Sequence, residues 1–176
     1  MKTRARVLAV AAVVVLLTSS CAALPKRTVQ AVMFEETGAG GPGDDIPIVI
    51  ETAEILYDRG GDIAYPLAEM LEAAGRAEGL EIYTETRRER AGNTLYRLRF
   101  KAIEKKVTRD LTVLYSVAVQ TVLMHPEAER TALKIIYHEE NTASVKSLYR
   151  LYSVIKTIMR KTARVIRKAQ ADKGRG

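Results

Sequence analysis

Between Ser144 and Ala171 stand eight cationic residues and not one acid: Lys146, Arg150, Lys156, Arg160, Lys161, Arg164, Arg167 and Lys168. Charges of one sign at that density hold polyanions, whether anionic lipid or glycolipid, an acidic protein surface or nucleic acid. The alternative is a solvated helix face. Most surface helices mix signs, because opposite charges four apart add a few tenths of a kcal/mol, roughly 0.2–0.5 per pair. A second cationic set is Arg97, Arg99 and Lys101, with Arg87, Arg88 and Arg90 upstream.

Other spacings that could do chemistry lack their partners. Gly38-x-Gly40-x-x-Gly43 has the glycines of a dinucleotide loop. That loop needs a strand before it and a helix N-terminus after it, whereas Pro42, Asp44 and Asp45 make this stretch read as a linker. Ser153-x-x-Lys156 has the spacing in which a lysine activates a serine. The Ser-Asp-Asn and Lys-Thr-Gly elements that complete such a site are absent. His138-Glu139-Glu140 begins like a zinc motif, but Thr142 stands where the second histidine is required. A zinc site needs three or four converging ligands, and His125 is the only other histidine. No nucleophile, base and oxyanion donor can be named together. The expectation is a chain without catalytic residues, metal or cofactor.

The elements that position these residues follow from hydrophobic period. Ile46–Ile50 is a short apolar run and predicts a strand. Ile63, Leu67, Met70, Leu71 and Ala74 recur at helical spacing, with Asp62 as the expected cap and Pro66 in the first turn. Leu80–Thr86 alternates. Tyr96, Leu98, Phe100 and Ala102 alternate with Arg97, Arg99 and Lys101, which predicts a strand with one apolar and one cationic face. Thr108–Asp110 reads as a turn. Leu111–Met124, rich in β-branched residues, suits a central strand, and Thr131–His138 suits a hairpin partner across a loop of five or six residues. From Ser144 the period becomes helical, through Leu148, Leu151, Ile155, Ile158, Thr162, Val165 and Ala169, with Asn141 or Thr142 as the expected cap. The segment from Ala22 to Phe34 reads either as tether or as a first short strand.

The N-terminus carries an address. Lys2, Arg4 and Arg6 precede an apolar run from Val7 to Leu17, then Thr18-Ser19-Ser20 and the single cysteine, Cys21. A basic start, a short apolar stretch and small residues compose an export signal, and the run is shorter than the roughly 20 residues that span a bilayer. Cys21 after small residues resembles the lipobox of bacterial lipoproteins, where the thiol is acylated and becomes the mature N-terminus. Thr18 stands where that family has Leu, Val or Ile. An ordinary signal peptide beside an unrelated cysteine is the alternative. With the signal removed, about 156 residues remain, the size of one domain, and +7 becomes +4 as Lys2, Arg4 and Arg6 leave. The lone cysteine leaves no disulfide within the chain. Ala22 rather than aspartate after the cysteine implies, by the same resemblance, the outer membrane facing the periplasm. Export argues against nucleic acid.

The expected organisation is a lipoprotein signal at 1–20, a lipidated linker at 21–45, one domain at 46–171 and a frayed tail at 172–176. The expected fold is α+β and two-layered: an antiparallel-rich sheet of four to five strands with two helices packed on one face. That element order behind a lipobox is similar to lipopolysaccharide-assembly lipoproteins of the LptE type. The resemblance implies a non-enzymatic envelope lipoprotein, anchored to the membrane through acylated Cys21, that assists outer-membrane assembly by contacting a partner protein or an anionic glycolipid. A strongly cationic last helix departs from that family. Activators of cell-wall synthases share the same layering, and a periplasmic module holding a small ligand is a further possibility.

Overall fold

A computed structural model describes residues 27–33, 47–57, 66–91, 95–125 and 130–173. Six strands form one sheet: β1 (Arg27–Met33), β2 (Ile48–Tyr57), β3 (Ile82–Thr84), β4 (Tyr96–Arg109), β5 (Thr112–Met124) and β6 (Thr131–Asn141). Among the described residues, two helices, α1 (Leu67–Ala77) and α2 (Leu148–Lys173), join the sheet in an α+β architecture. The spatial order is β1-β6-β5-β4-β2-β3. The β1–β6, β6–β5 and β5–β4 pairs are antiparallel, while β2 runs parallel to both β3 and β4.

The sheet is therefore mixed and six-stranded, where four to five strands in an antiparallel-rich sheet were expected. Two features account for the difference. Arg27–Met33 belongs to the sheet, so ordered structure begins before residue 46; its alternation is short, but Val29 and Ala31 pack on the core. And β2 continues seven residues past Ile50, through a register shift between Ile50 and Thr52. Glu51 at that irregularity ends the apolar run that marked the strand in the sequence. Parallel pairs need crossovers, which α1 supplies between β2 and β3 and a 3-10 helix (Glu85–Ala91) supplies after β3.

Alternation on β4 is as expected. Tyr96, Leu98, Phe100 and Ala102 are buried, in one core with Val117, Val119 and Leu123 of β5, Leu133, Ile135 and Tyr137 of β6, and Leu151, Ile155, Ile158 and Met159 of α2. Both helices lie on that face of the sheet, and among the described residues the opposite face buries only a small cluster, Val49 and Leu95 with Tyr83 packed against them. The β4–β5 turn is Asp110-Leu111, with φ of 49° and 64°, where Thr108–Asp110 was expected and Leu111 was expected to open β5. The helix α2 begins at Leu148 rather than Ser144. Asn141 instead closes a tight turn by accepting from the Ala143 N–H at 3.1 Å, and Leu151 N–H donates to Ser147 O at 2.9 Å. Leu148 and Tyr152, expected on the buried stripe, are exposed, and Val154 and Ala163 are buried instead.

Glycine fixes how α1 meets the sheet. Gly79, at φ +79°, ends the helix in the left-handed conformation, with Leu80 N–H donating to Gly75 O and Gly79 N–H to Arg76 O. A Cβ at Gly75 would lie 2.6 Å from Cγ2 of the buried Ile82. Gly75→Ala is expected to destabilise the fold by about 1–3 kcal/mol through overpacking, seen as a lower midpoint in urea at unchanged slope.

Candidate anionic-partner surface

Three buried glutamates determine where the cations go; of these only Glu139 stood in a motif of the sequence, the zinc-like His138-Glu139-Glu140. Glu139, on β6, is 0% exposed. Its carboxylate accepts from Tyr137 Oη and Arg150 Nη2, and from Asn141 Nδ2 at 3.3 Å, with Arg27 Nη2 at 3.6 Å. Burial alone would raise its pKa; the hydrogen bonds from Tyr137, Arg150 and Asn141 and the Arg150 charge outweigh that and hold it below the usual value. Burial, and then Glu139, push the Tyr137 hydroxyl well above its ordinary value, so it stays a donor. Glu104, on β4, accepts from Ser144 Oγ and from Val145 N–H, each at 2.6 Å, and so pins the segment leading into α2. Glu72, on α1, accepts from Thr84 N–H at 3.0 Å and from Arg87 at 2.8 Å, with Arg76 at 3.1 Å. Burial again opposes ionisation there, and the Thr84 and Arg87 hydrogen bonds prevail.

The eight cations of the C-terminal segment therefore divide. Arg150 is turned inward onto Glu139, and Lys146 sits 5.0 Å over the Tyr57 ring. Arg160 donates to Glu78 Oε1 at 3.2 Å and Arg167 to the Glu78 carbonyl at 2.7 Å, which ties α2 to the end of α1. Lys156, Lys161, Arg164 and Lys168 have no acidic partner among the described residues. Lys156, Arg160, Arg164 and Lys168 follow one another four apart, and with Arg167 they occupy the face of α2 directed away from the core. Like charges at that spacing each cost about 0.2–0.5 kcal/mol. The helix dipole offsets part of this only in the last turn.

Arg97, Arg99 and Lys101 point from β4 to the other side of the sheet, so the two cationic sets do not form one site. They are also paired with acids of β2: Arg99 lies 2.5 Å and Arg97 3.5 Å from Glu51, and Lys101 3.3 Å from Glu54. The Arg99 hydrogen bond and charge hold the Glu51 carboxyl below its usual range against some desolvation. Arg87 and Arg88 pair with Glu72 and Glu85. Cross-strand partners such as Glu51 and Glu54 were visible in the sequence, but their pairing needs the parallel β2–β4 register.

The remaining chemical motifs are dispersed. His138 Nε2 lies 3.1 Å from Ser116 Oγ on the outer sheet face, and the His125 ring meets Tyr96 edge-on at 5.6 Å. No group of three or more His, Cys, Asp or Glu that could hold a metal occurs among the described residues. None of their helices is long and apolar enough to cross a membrane. Cys21, Arg90 and the glycines at 38–43 are sequence expectations whose side chains lie outside the described residues.

No protein-family profile matches the chain, and no curated protein matches it in sequence. Similar solved structures include two of the PelC dodecamer from Paraburkholderia phytofirmans, one of them a point variant. They are 14% and 13% identical, with TM-scores of 0.44 and 0.43, over 77% of this chain and 94% of the PelC chain.

Two predictions follow from the charges themselves. Arg164→Glu creates opposite-charge pairs with Arg160 and Lys168, so thermal unfolding should show a stability unchanged or raised by about 0.2–0.5 kcal/mol per pair. The depressed carboxylates Glu139 and Glu72 contribute stability that is complete above their unfolded-state pKa, about 4.3, and is lost as pH falls through their lower folded values. Glu139→Gln should therefore lower stability near neutrality, by about 1–3 kcal/mol for its disrupted buried partners, and flatten the acid limb in denaturation series run at successive pH values.

Proposed function

We propose that the chain is a non-enzymatic envelope lipoprotein, exported and held at the outer membrane through acylated Cys21, that assists envelope assembly by docking an anionic partner on the outer face of α2. The observation that carries this reading is the set Lys156, Lys161, Arg164 and Lys168, left without acidic partners among the described residues where Arg150, Arg160 and Arg167 are used to hold the fold. Mixed charge would make a better helix, so these cations serve something outside it. The sheet cations are a poorer candidate because Glu51 and Glu54 already answer them. An acidic envelope protein or an anionic glycolipid supplies the matching charge, and the export signal with its following cysteine places such partners within reach.

A photo-crosslinking residue introduced at Lys161, and in a parallel variant at Arg99, tests this in native membranes. Adducts are expected from position 161, and they should disappear when Lys156, Arg164 and Lys168 are changed to Glu. About 1 M salt, where the screening length shortens to about 3 Å, should also remove them. Adducts from position 161 that persist in the triple variant, or that form from position 99 alone, would overturn the reading.

A further inference from the structure

The sheet has one end at which unusual features collect, and strand register identifies it. Arg27, the first residue of β1, pairs with Glu139, which pairs with Val117, which pairs with Glu104 opposite Tyr57, the last residue of β2. Beyond that level, among the described residues, β6 runs on only to Asn141, opposite Tyr115, while β4 and β5 continue. After Lys106 and Tyr115 they have no flanking strand, and a two-stranded ribbon projects about 12 Å, taking 3.4 Å per residue. Glu104 also fixes the approach to α2 here, so the first turn of that helix lies at the same end.

The tip of the ribbon departs from turn chemistry. A two-residue turn with positive φ at both positions favours Asp or Asn and then Gly. Asp110 fits, but Leu111 occupies the glycine position at φ 64° and is 100% exposed. An apolar side chain thus stands in water on a backbone conformation that disfavours it. Leu148 and Tyr149, at 53% and 85%, stand exposed on the first turn of α2, and Leu56, Ile103 and Val113 are exposed nearby. Val32 and Ile136, also exposed, lie farther along the sheet. Lys105 and Lys106 stand exposed at the base of the ribbon, and Arg109, beside the Asp110-Leu111 tip, is paired with Glu140 at 3.2 Å.

We infer that this end of the domain sits in the interfacial layer of a lipid bilayer, with Leu111 and Tyr149 inserted among the acyl chains and Lys105 and Lys106 at the headgroups. An apolar tip with basic residues set back from it suits that layer. Chain length points to the same end. Six residues of chain from Cys21 to Arg27 reach at most about 20 Å when extended, so acyl chains on Cys21 hold the Arg27 end of β1 close to the membrane. The inference rests on the anchoring reading for that last step; the exposed apolar cluster stands without it.

The chain contains no tryptophan, so one introduced residue reports alone. The full-length protein would be purified from membranes, its Cys21 acylation read by mass spectrometry, and Leu111→Trp, Tyr149→Trp and Val32→Trp variants reconstituted into phosphatidylethanolamine–phosphatidylglycerol vesicles carrying brominated acyl chains. Blue-shifted emission, strongly quenched at 111 and 149 and unquenched at 32, is the expected result; the second site covers the case in which Leu111→Trp folds poorly. An acylated protein with unquenched tryptophan at 111 and 149 would overturn the inference and leave the anchor standing. An unacylated protein still quenched at both would support the inference and overturn the anchor.

Discussion

The domain depends on satisfying one buried charge, the carboxylate of Glu139. A glutamate with no exposed surface is tolerated only if its oxygens are fully engaged, and here the partners come from three elements. Tyr137 and Asn141 flank it on β6, Arg150 reaches it from α2, and Arg27 reaches it from β1. That single group ties α2 to the sheet through Arg150 and adds Arg27 to the backbone ladder that holds the edge strand. Glu104 repeats the device two strands away at the same level, holding Ser144 and Val145. With α2 pinned at its start, its remaining cations are carried outward along the helix.

This arrangement separates two kinds of surface. The pinned end bears the exposed leucine and tyrosine side chains and lies six residues from the cysteine. The basic row starts two turns along α2 and continues to Lys168, where Arg160 and Arg167 hold the end of α1 through Glu78. In the proposed reading the apolar end faces lipid and the basic row faces what approaches from solution. Neither surface needs a catalytic group.

Much of the fold was legible because period is a strong signal. The inward and outward sets of β4, the length of β5 and the existence of both helices followed from spacing alone. Three features did not. β1 is too short for its alternation to separate strand from tether, and it is recognisable only once β6 offers an edge. β2 hid its second half behind Glu51, whose charge looks like an end until Arg97 and Arg99 lie beside it. The start of α2 was misplaced because Asn141 and Thr142 look like helix caps, while Asn141 closes a turn and Glu104 holds Ser144 and Val145 ahead of the helix. On the site, eight like charges could be counted, but the sequence could not say which were structural. Arg150 left the candidate surface because Glu139, three-dimensionally beside it, is eleven residues away.

Orientation on a bilayer tests the account most directly. Neutron reflectometry of the acylated protein on a supported anionic bilayer measures how far protein extends from the headgroups. A domain standing on the ribbon end, with the 26-residue α2 rising from its first turn, predicts a layer about 40 Å deep, at 1.5 Å per helical residue, with protein density entering the headgroup region. A thin layer of about helix-and-sheet thickness, roughly 20 Å, would mean that α2 lies flat with its basic row on the lipid. That result would contradict the separation of the two surfaces.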